Sequence, residues 1–243
     1  MQYLAMLYAA ETEASEPGSP EWDEEIARYE RFDDHAGHAI IGGEALQPSS
    51  TAVTIRYRGG DGSQPPEAIV TDGPFTETTE VMGGLFVFEV EDLDEAIELA
   101  RHIPAAQDGA VELRPLAGWG QGDTPDGHDR YLALLAGTEN DASQPGTPAW
   151  DEGVAAHARF EREAGTAIVG GGALHPAETA TTVRVRAGEL LLSDGPFTEV
   201  TEVVGGLYLL AAPSKEEAVK LGRAIPMDPG GIVEIRPVVS FDD

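Results

Sequence analysis

The sequence predicts an α+β protein made of two tandem copies of one unit, and three observations carry that expectation. First, Asp72-Gly73-Pro74-Phe75-Thr76-Glu77 returns nearly unchanged as Asp194-Gly195-Pro196-Phe197-Thr198-Glu199. Second, each copy is followed by a glycine pair and an apolar run, Gly83-Gly84-Leu85-Phe86-Val87-Phe88 and Gly205-Gly206-Leu207-Tyr208-Leu209-Leu210. Third, the alternation of strand-like and helix-like hydrophobic spacing repeats from one half to the other.

Each half opens with a short apolar strand, Tyr3 to Leu7 or Tyr131 to Leu135. A loop rich in Glu, Ser and Pro leads to Ser19-Pro20 or Thr147-Pro148, the pattern of an N-cap followed by proline in the first helical turn. The helix that follows has one apolar face, Trp22, Ile26, Tyr29 and Phe32, matched by Trp150, Val154, His157 and Phe160. An apolar stretch then runs to Leu46 or Leu174, ahead of the alternating strands Val53 to Arg58 and Thr181 to Arg186. Beyond that point the offset between the halves falls from 128 to 122, because the first half carries six extra residues around Gly59 to Glu67. Their Gly, Ser, Gln and Pro content marks a hairpin loop, where added length costs little. A short strand, Ala68 to Thr71 or Leu190 to Ser193, runs into the repeated motif.

The run after the glycine pair is a buried strand by its length. Asp92-Leu93-Asp94-Glu95 and Ser214-Lys215-Glu216-Glu217 then fit a capping box, with a carboxylate reaching back to the N-cap amide. Leu93, Ala96, Ile97, Ala100 and Ile103 supply the apolar face of this second helix, and Pro104 or Pro226 stops it. A last strand follows, Val111 to Leu116 or Val233 to Val238. Each half is therefore β-α-β-β-β-α-β, with both helices on one face of a mostly antiparallel sheet. The predicted units are 1–116 and 131–243, joined by a Gly-rich, acidic linker over 117–130.

Composition narrows the function classes. The 15 basic residues stand against 44 acidic ones, a net charge of −29, and Lys215 and Lys220 are the only lysines. Such a surface repels phosphate backbones and anionic lipid, so neither nucleic acid nor membrane is an expected partner. Few lysines beside many carboxylates also suit a salt-rich cytoplasm, where screening shortens the reach of self-repulsion. Apolar residues make up 41% of the chain without a run long enough to span a bilayer. Met1-Gln2-Tyr3-Leu4 lacks the basic flank of a secretory signal, and a cytoplasmic location is expected. With no cysteine, disulfides, thiolate metal sites and cysteine nucleophiles are excluded.

Several of these segments together resemble the YCII-related family, in the branch named for its Asp-Gly-Pro-Phe motif. They are Gly42-Gly43-Glu44-Ala45-Leu46-Gln47-Pro48, Asp72 to Phe75, Glu77-Thr78-Thr79-Glu80, Leu93-Asp94-Glu95-Ala96 and Val111-Glu112-Leu113-Arg114-Pro115, and the likeness covers both halves. The resemblance implies ferredoxin-like units that pair as a dimeric α+β barrel, here with both subunits fused into one intramolecular pseudo-dimer whose sheets enclose a cavity. It implies a small-molecule enzyme or ligand-binding protein that uses this inter-sheet cavity, with no cofactor expected. The alternative is a non-enzymatic interaction or accessory module, and further self-association stays open. The lysine common in the family after Glu-Thr is replaced by Thr79 and Thr201, so its role does not transfer. The more distant YCII branch is associated with a His-Asp pair.

Candidate site residues follow from residue type and repetition. Asp72 and Asp194 end a strand ahead of glycine and proline, which suits a turn whose carboxylate accepts backbone N–H bonds. The same placement suits a general base or ligand anchor at a cavity mouth, with Glu77 or Glu199 close enough to form a carboxylate pair. Phe75 and Phe197 read as anchors of the core or, alternatively, of a cavity wall, with the core preferred. No histidine recurs between the halves: His35 matches Glu163, His38 Thr166, His102 Ala224, His157 Tyr29 and His175 Gln47. A symmetric histidine catalyst is thus unsupported, and His157, on the apolar helix face, is the candidate for a single active half, against the plain alternative of a satisfied imidazole. Arg56 and Arg58 recur as Arg184 and Arg186 on alternate positions of one strand, either as outer-face ion pairs or, for Arg56 and Arg184, as cations that bind an organic acid. Asp123, Asp126, His128 and Asp129 lack the spacing of a cation loop, and no metal is expected there. The glycine pairs lack the lysine and the following helix of a phosphate loop.

Overall fold

The computed structural model describes residues 1–11, 19–60, 66–75, 79–138, 146–197 and 202–240. In the first half the elements are β1 (Gln2–Ala10), α1 (Pro20–Ala36), β2 (Ile40–Ala45), β3 (Val53–Arg58), β4 (Glu67–Asp72), β5 (Glu80–Glu89), α2 (Leu93–Ala100), α3 (Pro104–Asp108) and β6 (Ala110–Pro115). The short β7 (Gly120–Gln121) lies between the halves. The second half contains β8 (Asp129–Gly137), α4 (Pro148–Ala164), β9 (Ile168–Ala173), β10 (Thr181–Arg186), β11 (Glu189–Asp194), β12 (Val203–Ala212), α5 (Lys215–Ala224) and β13 (Ile232–Pro237).

The architecture is α+β, with two antiparallel sheets in two fused ferredoxin-like units. Each unit is built mainly from one half and completed by a hairpin of the other. The first unit holds a six-stranded sheet in the order β11-β10-β6-β1-β5-β2, so the β10–β11 hairpin of the second half pairs with β6 of the first. The second unit holds a seven-stranded sheet in the order β4-β3-β13-β8-β12-β9-β7, where β3 of the first half pairs with β13.

Local chemistry explains the elements. Ser19 and Thr147 cap their helices by accepting the amides of Trp22 and Trp150 at 3.2 and 3.1 Å, and proline follows each cap. Asp92 accepts from the Glu95 amide at 3.0 Å, while the Glu95 carboxylate reaches one residue past the cap, to the Glu91 amide at 2.7 Å. The two glycines of each pair do different work. Gly83 and Gly205 sit where the register of β5 on β1 and of β12 on β8 shifts, and their carbonyls accept the amides of Leu46 and Leu174, both at 2.9 Å. Gly84 lets β2 approach, since a Cβ there would lie 2.8 Å from the Glu44 carbonyl oxygen.

In the first unit α1 and α2 cover one face of the sheet and bury Phe32, Ala36, Ala96, Leu99 and Ala100 with Tyr3, Ala5, Val111, Leu113 and Val183. The second unit repeats this with Phe160 and Ala218 over Tyr131, Ala133, Ile55, Val233 and Ile235. Each fully buried aliphatic side chain contributes about 1.5–3 kcal/mol, so these runs outweigh helix propensity in ordering the units.

Three details depart from the sequence expectation, the first being that the apolar stretch ahead of Leu46 or Leu174 forms a strand of its own, β2 on β5 or β9 on β12, which adds one strand to each half. α2 already ends at Ala100, and Pro104 begins α3 instead of stopping α2, because proline's fixed φ suits a first helical turn and its missing N–H is unpaired there anyway. Residues 117–122 are hydrogen-bonded along a sheet edge, with the Ala117 amide on the Ala173 carbonyl at 2.9 Å and the Gly122 amide on Val169 at 2.7 Å. In keeping with the shorter hairpin expected of the second half, β10 and β11 are joined through Ala187 and Gly188, both at positive φ (53° and 83°), the two-residue turn whose twist matches paired strands. Among the described residues, no helix is long and apolar enough to cross a membrane.

Candidate functional site

The repeated Asp-Gly-Pro-Phe motif forms a turn whose backbone is held from several sides. Gly73 and Gly195, both at φ 93°, donate their amides to Ala52 and Ala180 at 2.9 Å. Their carbonyls accept the hydroxyls of Thr54 and Thr182 at 2.7 and 3.0 Å. The Phe75 amide donates to Glu234 Oε2 at 3.0 Å, and the Phe197 amide to Glu112 Oε2 at 2.9 Å. Each turn is thus fastened by a glutamate from the other half of the sequence. Asp72 and Asp194 end β4 and β11 opposite Val53 and Thr181, and both are exposed. Phe75 and Phe197 are half-buried at the edge of the sheets and not in the cores.

The two arginine candidates serve the same turns. Arg56 Nη2 donates to the Phe75 carbonyl at 2.8 Å, and the Arg184 guanidinium lies over the Phe197 ring at 5.0 Å, with Tyr8 stacked on that ring at 4.7 Å. Neither arginine forms an ion pair among the described residues. Arg186 donates to the Ala106, Gln107 and Gly109 carbonyls at 3.0, 2.9 and 2.7 Å, tying β10 to the end of α3. Glu77 and Glu199 lie outside the described residues.

Glu112, Arg114, Glu234 and Arg236, marked in the sequence only as strand residues, are the most buried charged residues among the described ones at 3%, 1%, 1% and 4% exposure. Arg114 Nη1 donates to Glu112 Oε1 at 3.2 Å, and Arg236 pairs likewise with Glu234. Burial pushes the Glu112 carboxyl above the usual range, while the Phe197 amide and Arg114 pull it down. The signal was present in the alternation: Val111 and Leu113 face the helices, so Glu112 and Arg114 share the opposite face, and the same pattern recurs at Val233 to Arg236.

His157 has partners of catalytic type. It lies half-buried on α4, with Nδ1 3.0 Å from the Tyr208 hydroxyl of β12, and that hydroxyl donates to Glu161 Oε1 at 3.0 Å. The phenol has one proton and the carboxylate only accepts, so the Tyr208 oxygen receives the Nδ1–H of His157 and Nε2 carries the lone pair. Burial lowers the His157 pKa, with Glu161 and Asp228 acting weakly the other way, so the neutral imidazole prevails at neutral pH. Burial, reinforced by Glu161, raises the Tyr208 phenol and keeps it a hydrogen-bond donor. The matching positions of the first half are Tyr29, Phe86 and Asp33, which cannot form this chain. Glu161 was legible as the i+4 neighbour of His157 on one helix, whereas Tyr208 comes from a strand distant in sequence. Among the described residues, no three His, Asp or Glu side chains are placed to hold a metal ion.

Comparison with known proteins agrees with the duplication. The model of the YCII-related domain matches residues 1–120 and again 130–242. An uncharacterised protein of Rhizobium meliloti is 39% identical over 82 residues, a stretch that is 33% of this chain and 61% of that protein.

Proposed function

The chain belongs to the YCII-related family, and we propose that it binds a small organic molecule and moves a proton on it, with His157 as general base. The observation that carries this reading is the Glu161, Tyr208 and His157 chain, which fixes the tautomer and leaves Nε2 as the proton acceptor. Burial supplies the second requirement, an imidazole that is neutral where it must work. Val154, one turn earlier on α4 and 51% exposed, offers an apolar contact beside it. Asp72 and Asp194 are exposed at the ends of β4 and β11, whereas His157 is half-buried and aligned through Tyr208 and Glu161, so the proton-transfer role is assigned to His157. Arg56 and Arg184 hold the turns in this reading.

The test is proton exchange in D2O, followed by NMR over a panel of small carbonyl acids and esters, with wild-type protein and His157→Asn. Exchange or hydrolysis of at least one compound, reduced about 10²- to 10⁴-fold in the variant, is expected. Turnover that survives His157→Asn unchanged would remove the assignment.

A second reading, an interaction module, is favoured by the sheet-edge strands β4 and β11, where Ile69, Val70, Leu191 and Leu192 are 36%, 42%, 49% and 52% exposed. Sedimentation of wild type against Leu191→Glu separates the two readings. Concentration-dependent association abolished by the substitution supports the module, and a wild-type monomer at all concentrations removes self-association through this edge.

A further inference from the structure

We propose that the first unit carries a binding site for a small organic anion in the groove between α1 and the α2–α3 connection, apart from His157 and independent of its role. The groove encloses about 350 Å³, at the small end of ligand pockets, which span about 300–1,000 Å³. Four basic side chains converge on it, Arg28, Arg31, His35 and His102, beside Phe32 and Pro104. That concentration stands out in a chain with 15 lysines and arginines and 6 histidines against 44 acidic residues, whose overall field repels anions.

The geometry leaves donors for a ligand. Arg28 Nη1 is held 2.7 Å from the Asp108 carboxylate and Nη2 reaches the Pro104 carbonyl at 3.5 Å, which orients a guanidinium with further N–H groups to spare. Arg31 is exposed and forms no ion pair among the described residues. The His35 and His102 rings lie 4.5 Å apart, and Glu98 approaches His102 Nε2 at 3.5 Å, which leaves Nδ1 of that ring as a second polar atom. Phe32 and Pro104 are buried and supply an apolar wall. A carboxylate or phosphate head on a compact apolar body fits this set, because planar guanidinium donors match paired anionic oxygens.

The duplication provides an internal control. The second half builds the same helices with Ala156 at the position of Arg28, Glu163 at His35 and Ala224 at His102, and only Arg159 matches Arg31. It also lacks the short helix that α3 adds beside the groove. The helices therefore do not need these side chains, since the second half forms its own without them.

Titration calorimetry of the full chain with benzoate and, separately, inorganic phosphate tests the proposal. Binding of either probe is expected, weakened about tenfold by Arg31→Gln and by His35→Glu, which introduces the residue type of the second half, and unchanged by Arg159→Gln. Tighter binding of benzoate identifies a carboxylate on an apolar body, and tighter binding of phosphate identifies a phosphate head. Arg31 and His35 are exposed, and thermal unfolding of each variant checks that the fold is intact. Shifts of α1 backbone amides on probe addition give a reading that needs no variant. The proposal is overturned if neither probe binds at millimolar concentration, or if Arg159→Gln weakens binding as much as Arg31→Gln.

Discussion

Replacing Arg114 by methionine removes the counterion of Glu112 while filling similar space, and the consequences follow from the burial of both. Arg114 is 1% exposed and Glu112 is 3% exposed. Removing one partner of a buried ion pair costs about 3–5 kcal/mol, because the other charge is left in a poorly polarisable interior. Burial already raises the Glu112 carboxyl and Arg114 pulls it down, so the substitution lets it rise further. A carboxyl with a raised folded pKa is tolerated best when protonated. Its contribution is full at low pH and is lost as pH rises through the folded value. The deficit of Arg114→Met is therefore smallest in the ordinary carboxylate range and grows as pH rises above it. Urea unfolding of the full chain across that interval reads it as a lower midpoint at constant slope. Combining Glu112→Met with Arg114→Met removes both charges and leaves the Phe197 amide without its acceptor, so the double variant loses about 1–3 kcal/mol, less than the single one. A loss below about 1 kcal/mol for Arg114→Met, or one that does not change with pH, would refute the reasoning.

Other outcomes follow from the same structure. Gly73→Ala and Gly195→Ala each cost about 1–2 kcal/mol in thermal unfolding, because both residues hold φ 93° with open space around the missing Cβ, so the loss is conformational and not steric. Tyr208→Phe removes two hydrogen bonds and costs about 1–3 kcal/mol by urea unfolding; an unchanged midpoint would contradict the pairing with His157 and Glu161. His157 has a folded pKa below its unfolded value, so the unfolded chain takes up the proton first and stability falls as pH drops through the ordinary histidine range. His157→Gln flattens that slope, and a slope that persists unchanged places the acid sensitivity elsewhere.

Much of the fold is legible in the residues themselves. The caps at Ser19, Thr147, Asp92 and Ser214, the glycine pairs and the alternating strands all report locally on the chain around them. What sequence does not reveal is which copy a hairpin joins. β6 and β13 carry the same pattern, Val-Glu-Leu-Arg and Val-Glu-Ile-Arg, so either would receive β3 or β10, and tertiary context decides that the hairpins cross between halves. The Asp-Gly-Pro-Phe turn is legible as a turn from its glycine and proline, yet its fastening to Glu112 and Glu234 depends on that exchange. At the candidate site, His157 and Glu161 share a helix face and can be paired by spacing, while Tyr208 enters through strand packing. The groove of the first half is not legible in the sequence, because His35 and His102 lie far apart along the chain and meet only through the α2–α3 connection.

The state of His157 is the most direct test of the proposed function. A ¹⁵N-histidine NMR titration of the full chain reports both tautomer and midpoint. The account predicts Nδ1–H on the neutral ring, bonded to Tyr208, and a midpoint below the ordinary histidine value of about 6.5. An Nε2–H tautomer, or a midpoint at or above that value, would contradict it.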